Sequence, residues 1–172
     1  MEDSPVLTDA LREYRNYKAL AEKAMSQASD DEFFRQIDEE SNSIALIVKH
    51  LAGNLKSRWT DLFTADGEKP DRDRDGEFVP EAADTRAGLE GKWQEAWNIT
   101  LATLESLSDN DLLREVVIRG EPHSVLKAIN RNLNHLAYHV GQIAFLAKHL
   151  AGRRWKTLSI PRNRSRASNR QP

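Results

Sequence analysis

The chain has 172 residues, 39% apolar and 30% charged, a composition typical of one globular domain with a sizeable core. It contains no cysteine, which excludes a disulfide framework and a thiolate supplied by the protein itself. Its net charge of −2 is unevenly spread, because the residues after Glu121 include ten Lys and Arg and no Asp or Glu.

Hydropathy and the N-terminal residues bear on where the protein works. No segment approaches the ~20 consecutive apolar residues that a membrane span needs. The first residues, MEDSPVLTDALREY, carry acids where a signal peptide carries bases. We therefore expect a cytoplasmic protein with no membrane partner.

Four long segments have the apolar periodicity of amphipathic helices. They cover approximately residues 8–26, 41–63, 84–107 and 124–151. Ser29 stands three residues before Glu32, a capping-box pattern that starts a short turn after the first helix. Gly53 lies inside the second helix, where glycine costs about 1 kcal/mol relative to Ala. Gly152 suits the position just past the end of the fourth helix.

The connections complete the predicted fold. Residues 64–83 are rich in Gly, Pro and charge and predict a long loop. Residues 114–125, REVVIRGEPHSV, predict a small extended connection and not a full sheet. The pattern predicts an all-α fold, a four-helix bundle with long crossover connections after the second and third helices. We expect the bundle to occupy residues 1–152 and residues 153–172 to form a basic, partly disordered C-terminal tail.

The basic tail has two interpretations. Its charge is suited to nucleic acid or to an acidic protein partner. Aromatic side chains, which interleave with basic ones in single-stranded nucleic-acid sites, are sparse in it. We therefore favour a solubilising terminus and do not predict a nucleic-acid partner.

The histidines raise the possibility of a metal site. His135 and His139 are four residues apart on the fourth helix, so both imidazoles are able to reach one ion. His123 and His149 are too far along the helix axis from this pair, at ~1.5 Å per residue. His50, on the second helix, is the remaining histidine, and three imidazoles would meet if the second and fourth helices were neighbours. Such a triad leaves positions open for water and substrate and accepts Zn, Ni, Co or Fe(II).

The histidine pair is not a specific signal by itself. Pairs at this spacing are more often solvated or packed than ligating. Leu136 stands where the glutamate of the metalloprotease motif would be. The fourth helix has no Asp or Glu, so a proton acceptor would be a metal-bound hydroxide or a carboxylate from another segment.

The long loop contains a second metal-like pattern, DRDRDG. Asp71, Asp73, Asp75 and Gly76 match the start of a calcium-binding loop, but the twelfth position is Ala82 instead of Glu. We therefore expect a solvated loop near the mouth of the histidine site.

Two further features of the helices leave their roles open. Trp59, Trp93 and Trp97 have helical spacing and are expected in the core. Asn54 shares one side of the second helix with His50. It is either a contact to the site or a polar group at the edge of the bundle.

Three blocks of the sequence carry a family resemblance. The segments NSIALIVKHLAGNLKSRWTDLFTADGEKPDRDRDGEF, NHLAYHVGQIAFLAKHL and WKTLSIP resemble the DinB-like (YfiT-like) metal-binding four-helix bundle superfamily, closest to an uncharacterised bacterial branch. The resemblance extends over most of residues 5–162. It implies that the second and fourth helices are adjacent and that His50, His135 and His139 hold a divalent metal.

The resemblance also carries functional expectations. Known members of the superfamily include metal-dependent thiol S-transferases that use bacillithiol or mycothiol, and a maleylpyruvate isomerase, and many members are homodimers. A metal-dependent enzyme of thiol S-transferase or hydrolase type would activate a small-molecule thiol or water and present it to an electrophilic substrate entering near residues 64–83. The alternative is a non-enzymatic, dimeric helical-bundle interaction protein whose basic tail binds an acidic partner. That alternative predicts no stoichiometric metal.

Overall fold

The structure, a computed structural model, describes residues 4–161. Over this range the chain is mostly helical, with five α-helices and one small two-stranded sheet. The elements are α1 (Pro5–Met25), α2 (Asp30–Phe34), α3 (Ile44–Trp59), α4 (Arg86–Glu105), β1 (Glu115–Ile118), β2 (Glu121–Ser124) and α5 (Val125–Ala151). None of these helices combines the length and the apolarity that crossing a bilayer requires.

Hydroxyl side chains determine where the helices begin. Ser4, Ser43, Thr85 and Ser124 each precede one of the four long helices, and each side chain accepts a hydrogen bond from a backbone N–H of the first turn. A cap of this kind stabilises a helix by about 1 kcal/mol. The capping box predicted at Ser29 is confirmed at the start of α2.

The four long helices pack around one hydrophobic core. Both α1 and α3 pack against α4 and α5. α4 and α5 therefore lie on opposite sides of α1 and α3, and the chain passes from one side to the other between them. α3 and α4 pack directly against each other and run in the same direction, since Lys49 lies beside Asp84, Lys56 beside Glu95 and Trp59 beside Thr103. The long connection after α3 therefore returns along the length of the helices before α4 begins. The three tryptophans predicted in the core are buried there, none more than 1% exposed: Trp59, Trp93 and Trp97.

The predicted extended connection between α4 and α5 is an antiparallel hairpin of β1 and β2. Its turn residues Arg119 and Gly120 have φ of 57° and 73°, as a tight two-residue hairpin turn requires. The Asp66 carboxylate accepts hydrogen bonds from both backbone N–H groups of this turn, at 2.8 and 2.7 Å. The hairpin thus anchors the first part of the loop that follows α3.

The loop between α3 and α4 is held against α3 along its length. A short 3₁₀ turn at Gly76–Phe78 packs on the helix, and the Phe78 ring lies 4.5 Å from the His50 ring. Lys49 donates hydrogen bonds to the Val79 carbonyl and to the Glu81 carboxylate, at 3.2 and 2.6 Å. The loop therefore has anchors at both ends and covers the α3 surface that carries His50.

Residues that follow α5 extend along the surface of the fold. Trp155 and Leu158 pack against the core. The Gln27 side chain exchanges two hydrogen bonds with the backbone of Lys156, at 3.0 and 2.6 Å. The rest of the predicted basic tail, residues 162–172, lies outside the described residues.

Candidate metal centre

Three histidine side chains meet where α3 packs against α5. His50 comes from α3, while His135 and His139 come from successive turns of α5. One nitrogen of each ring lies within 4.8 Å of the others. The structure thus brings together the three residues that the sequence analysis selected.

The spacing and burial of the rings are suited to one shared ion. Nε2 of His50 lies 3.1 Å from Nε2 of His135. Two nitrogens that bind one tetrahedral ion at ~2.0–2.1 Å stand roughly 3.3 Å apart, so the observed distance is close to that of ligands. His50 and His139 are buried, whereas His135 is half-buried. The group therefore lies at the edge of the core, with His135 the most exposed of the three residues.

A carboxylate sets the orientation of the His50 ring. Oε2 of Glu77 lies 2.9 Å from Nδ1 of His50, and Glu77 is only 7% exposed. An ionised carboxylate only accepts hydrogen bonds, so Nδ1 of His50 carries the proton and donates it. Nε2 of His50 is left with a free lone pair directed at the other two histidines.

An amide plays the same part for His139. Oε1 of Gln142, one turn further along α5, lies 2.8 Å from Nδ1 of His139. A donated hydrogen bond from Nδ1 leaves Nε2 of His139 as the nitrogen with a free lone pair. His135 differs, because its Nδ1 is buried without a hydrogen-bond partner among the described residues.

The rings are poor bases in this setting. Burial lowers the pKa of His135 to about 3, and the nearby charges of His139 and His50 add to the effect. Burial likewise lowers the pKa of His139 to about 4. Burial alone would raise the pKa of Glu77, but hydrogen bonds from His50 and Arg72 lower it. At neutral pH His135 and His139 are therefore neutral imidazoles, the form that coordinates metals, and the Glu77 carboxylate near them is ionised.

The position of the Glu77 carboxylate depends on hydrogen bonds from Arg72 and on the space left by Gly53. Nε and Nη2 of Arg72 donate to its two oxygens at 2.7 Å each, and the two side chains are 5% and 9% exposed. A Cβ atom at Gly53 would lie 2.0 Å from Oε1 of Glu77. Glycine is thus needed at this point of α3 for the carboxylate to approach His50.

A buried polar network lies one turn away from the histidines. Asn54 Oδ1 accepts a hydrogen bond from Asn132 Nδ2 at 3.0 Å. Oδ1 of Asn132 accepts from the Tyr14 hydroxyl at 2.9 Å and from Trp59 Nε1 at 3.1 Å. The network joins α1, α3 and α5, so Asn54 is a buried link between helices instead of a polar group at an edge.

The two remaining histidines do not join the centre, as predicted. His149 is exposed on α5. His123 is buried in β2, where Nδ1 lies 3.0 Å from the Glu121 carbonyl oxygen and Nε2 accepts from Arg131 at 3.2 Å. In the calcium-like stretch, Asp73 accepts a hydrogen bond from its own turn, at the backbone N–H of Gly76.

The sequence analysis missed Glu77, Arg72 and Gln142. Gln142 follows His139 by three residues, and this helical spacing places two side chains on the same face. Gly53 follows His50 by three residues and marks a point where something approaches the helix closely. Nothing in the acid-rich loop itself distinguishes Glu77 from its exposed neighbours.

A cleft opens beside the histidines. Its volume is about 560 Å³, within the range of small-molecule sites, roughly 300–1,000 Å³. Its wall includes Gln142 and Tyr138, whose ring centre lies 4.8 Å from that of His139. Other parts of the wall are Ile37, Ser41, Asn42, Ile47 and Phe145. A small molecule bound there would contact Tyr138 and Gln142, the two residues of the wall that touch His139.

Fold and site together define a mostly helical protein with a three-histidine group able to hold a metal ion. Residues 3–164 match the model of a family described as "Protein of unknown function (DUF1572)". Because this match covers nearly the whole chain, the protein belongs to that family. Comparisons with curated proteins and with solved structures found no match.

Proposed function

We propose that the protein is a DinB-like four-helix bundle whose histidines bind one divalent metal ion, and that this centre serves a metal-dependent enzyme. The observation that carries the proposal is the meeting of three imidazoles from two helices, with one nitrogen of each within 4.8 Å of the others. Two of them, His50 and His139, are oriented by Glu77 and Gln142 so that Nε2 is the free nitrogen. The bundle assignment is supported by the contacts of α1 and α3 with both α4 and α5.

A purely structural role for the histidines explains the arrangement less well. Two nitrogens 3.1 Å apart repel each other unless a proton or a cation lies between their lone pairs. One proton shared by His50 and His135 would leave the Nε2 lone pair of His139 without a donor. A single cation would satisfy a nitrogen of every ring, and buried polar groups in proteins are normally satisfied.

The donor set indicates a catalytic and not a closed structural site. Zn, Ni, Co and Fe(II) all accept imidazole ligands. Three protein ligands leave a position open, which is typical of catalytic centres. A bound divalent ion would supply Lewis-acid chemistry that lowers the pKa of a small-molecule thiol or of water. Because the chain has no cysteine, a thiol nucleophile would come from a low-molecular-weight cofactor.

The chain itself binds and orients the reactants. The cleft beside His139 would hold the electrophilic substrate next to the histidines, between Tyr138 and Gln142. Glu77 is not the general base, because both of its oxygens already accept hydrogen bonds from Arg72 and its pKa is lowered. The centre therefore suits thiol transfer or hydrolysis in which the nucleophile is ionised before it attacks. The superfamily resemblance further supports a homodimer, which sedimentation would test.

The first test is the metal content of the untagged protein, measured by elemental mass spectrometry. We expect about one divalent ion per chain, as in a mononuclear site, and its loss in His139→Ala. The matched control is His149→Ala, which removes an exposed histidine from the same helix and is expected to keep the metal. A wild-type protein that neither carries nor takes up divalent metal would refute the centre and support the interaction-protein alternative. If metal is present, assays of thiol transfer with small-molecule thiols follow.

A further inference from the structure

We infer that Glu77 is a positioning residue for this centre, an inference that rests on the proposed function. Its carboxylate selects the His50 tautomer that turns the free Nε2 lone pair toward His135 and His139. Arg72 and the missing side chain at Gly53 keep the carboxylate at that place.

The burial of Glu77 needs an explanation beyond the folding of the loop. Taking a carboxylate out of water is strongly unfavourable unless it is paired and hydrogen-bonded. The loop already has other anchors, at Asp66 on the hairpin turn and at Lys49 on α3. Glu77 is therefore not required to hold the loop, whereas the hydrogen bond from His50 does require it.

The presence of Gly53 inside α3 is independent support for the positioning role of Glu77. Glycine in a helix interior is less favourable than alanine. Any Cβ there would meet Oε1 of Glu77 at 2.0 Å and Cδ at 2.7 Å. The helix thus has its least favourable ordinary residue at the point where the carboxylate approaches.

Arg72 determines the charge that Glu77 brings to the centre. Its two hydrogen bonds pair the carboxylate with a guanidinium, so the Glu77–Arg72 pair has no net charge. The carboxylate therefore orients His50 without neutralising a divalent ion held by three neutral imidazoles. A centre that keeps the full charge of its ion favours an anionic fourth ligand, such as a thiolate or a carboxylate.

Cobalt(II) binding tests the positioning role. Partners that orient a ligating histidine typically contribute 10–100-fold to metal affinity. We expect Glu77→Gln, which keeps the shape and one acceptor oxygen but loses the charge, to weaken the Kd for Co(II) by about 10-fold, and Glu77→Leu by about 100-fold. Asp75→Asn removes an exposed acid from the same loop and is expected to leave the Kd unchanged.

A second measurement needs no metal and separates this inference from the proposed function. Long-range ¹H–¹⁵N correlations of the chelator-treated protein report which nitrogen of His50 carries the proton. We expect the proton on Nδ1 in the wild type and in Asp75→Asn, and loss of that preference in Glu77→Leu. If the wild type binds no Co(II), the proposed metal centre fails, while the tautomer still reports on Glu77. If the Glu77 variants lower the free energy of unfolding but leave both Kd and tautomer unchanged, Glu77 is only structural and the inference is overturned.

Discussion

The buried network at Asn132 gives the sharpest test of how α3 is set against α5. In Asn132→Leu the side-chain volume is nearly kept, but Trp59 Nε1 loses its acceptor and Asn54 Oδ1 loses its donor. Tyr14 is less affected, because its hydroxyl also lies 3.4 Å from the Ile129 carbonyl oxygen. The substitution therefore leaves two buried polar groups without partners.

The expected loss of stability follows from these two groups. A buried donor or acceptor left unsatisfied costs about 1–3 kcal/mol, so two cost about 4 kcal/mol. Burial of the leucine side chain returns about 2 kcal/mol. We expect a net decrease of about 2 kcal/mol in the free energy of unfolding, small enough for the variant to fold. With a typical urea dependence of about 2 kcal/mol per M, the midpoint should fall by about 1 M.

Urea unfolding followed by tryptophan fluorescence measures this change. Asn134→Leu is the matched control, because it makes the same substitution at an exposed site of the same helix. Its effect should stay within about 0.5 kcal/mol. Equal stability of Asn132→Leu and the wild type would refute the claim that the network fixes α3 against α5. If Asn132→Leu is as stable as the wild type, its affinity for Co(II) should also equal that of the wild type.

Two further predictions concern the centre itself. Gly53→Ala raises helix propensity by about 1 kcal/mol but displaces the Glu77 carboxylate. In the wild-type background we therefore expect weaker Co(II) binding. When the same change is made in Glu77→Ala, no carboxylate is displaced, and we expect a higher free energy of unfolding in urea. In the chelator-treated protein the pKa values of His135 and His139, about 3 and about 4, lie below the ordinary value of 6.5, so the unfolded chain binds more protons in between. The free energy of unfolding should therefore fall as the pH drops from about 6.5 to about 5, by at most about 1.4 kcal/mol per pH unit for each histidine, and His139→Gln should show a shallower slope.

Features with a local cause were predictable from the sequence. The apolar period of 3.6 residues places all four long helices, and the capping box at Ser29 and the glycine at 152 mark ends that the structure shows. The His135–His139 pair follows from helical spacing alone. These features depend on residues a few positions apart, and local propensity and hydrogen bonding determine them.

Pairings between distant segments were not predictable in the same way. His50 and His135 are 85 residues apart, and periodicity does not tell which helices become neighbours; only the family resemblance placed them together. The link from Asp66 to the Arg119–Gly120 turn, 53 and 54 residues away, has no local signal either.

Glu77 and Gly53 show why only part of a site can be predicted from a sequence. A loop full of acids and bases resembles a solvated surface, because nothing in its composition shows which carboxylate will be buried against a helix. A glycine within a strong helix is an unexplained cost of about 1 kcal/mol. The packing of the loop on α3 explains both residues, because the absence of a Cβ atom at Gly53 makes room for the Glu77 carboxylate that accepts a hydrogen bond from His50. A costly glycine one turn from a candidate ligand is therefore a reason to look for a hydrogen-bond acceptor in a distant loop.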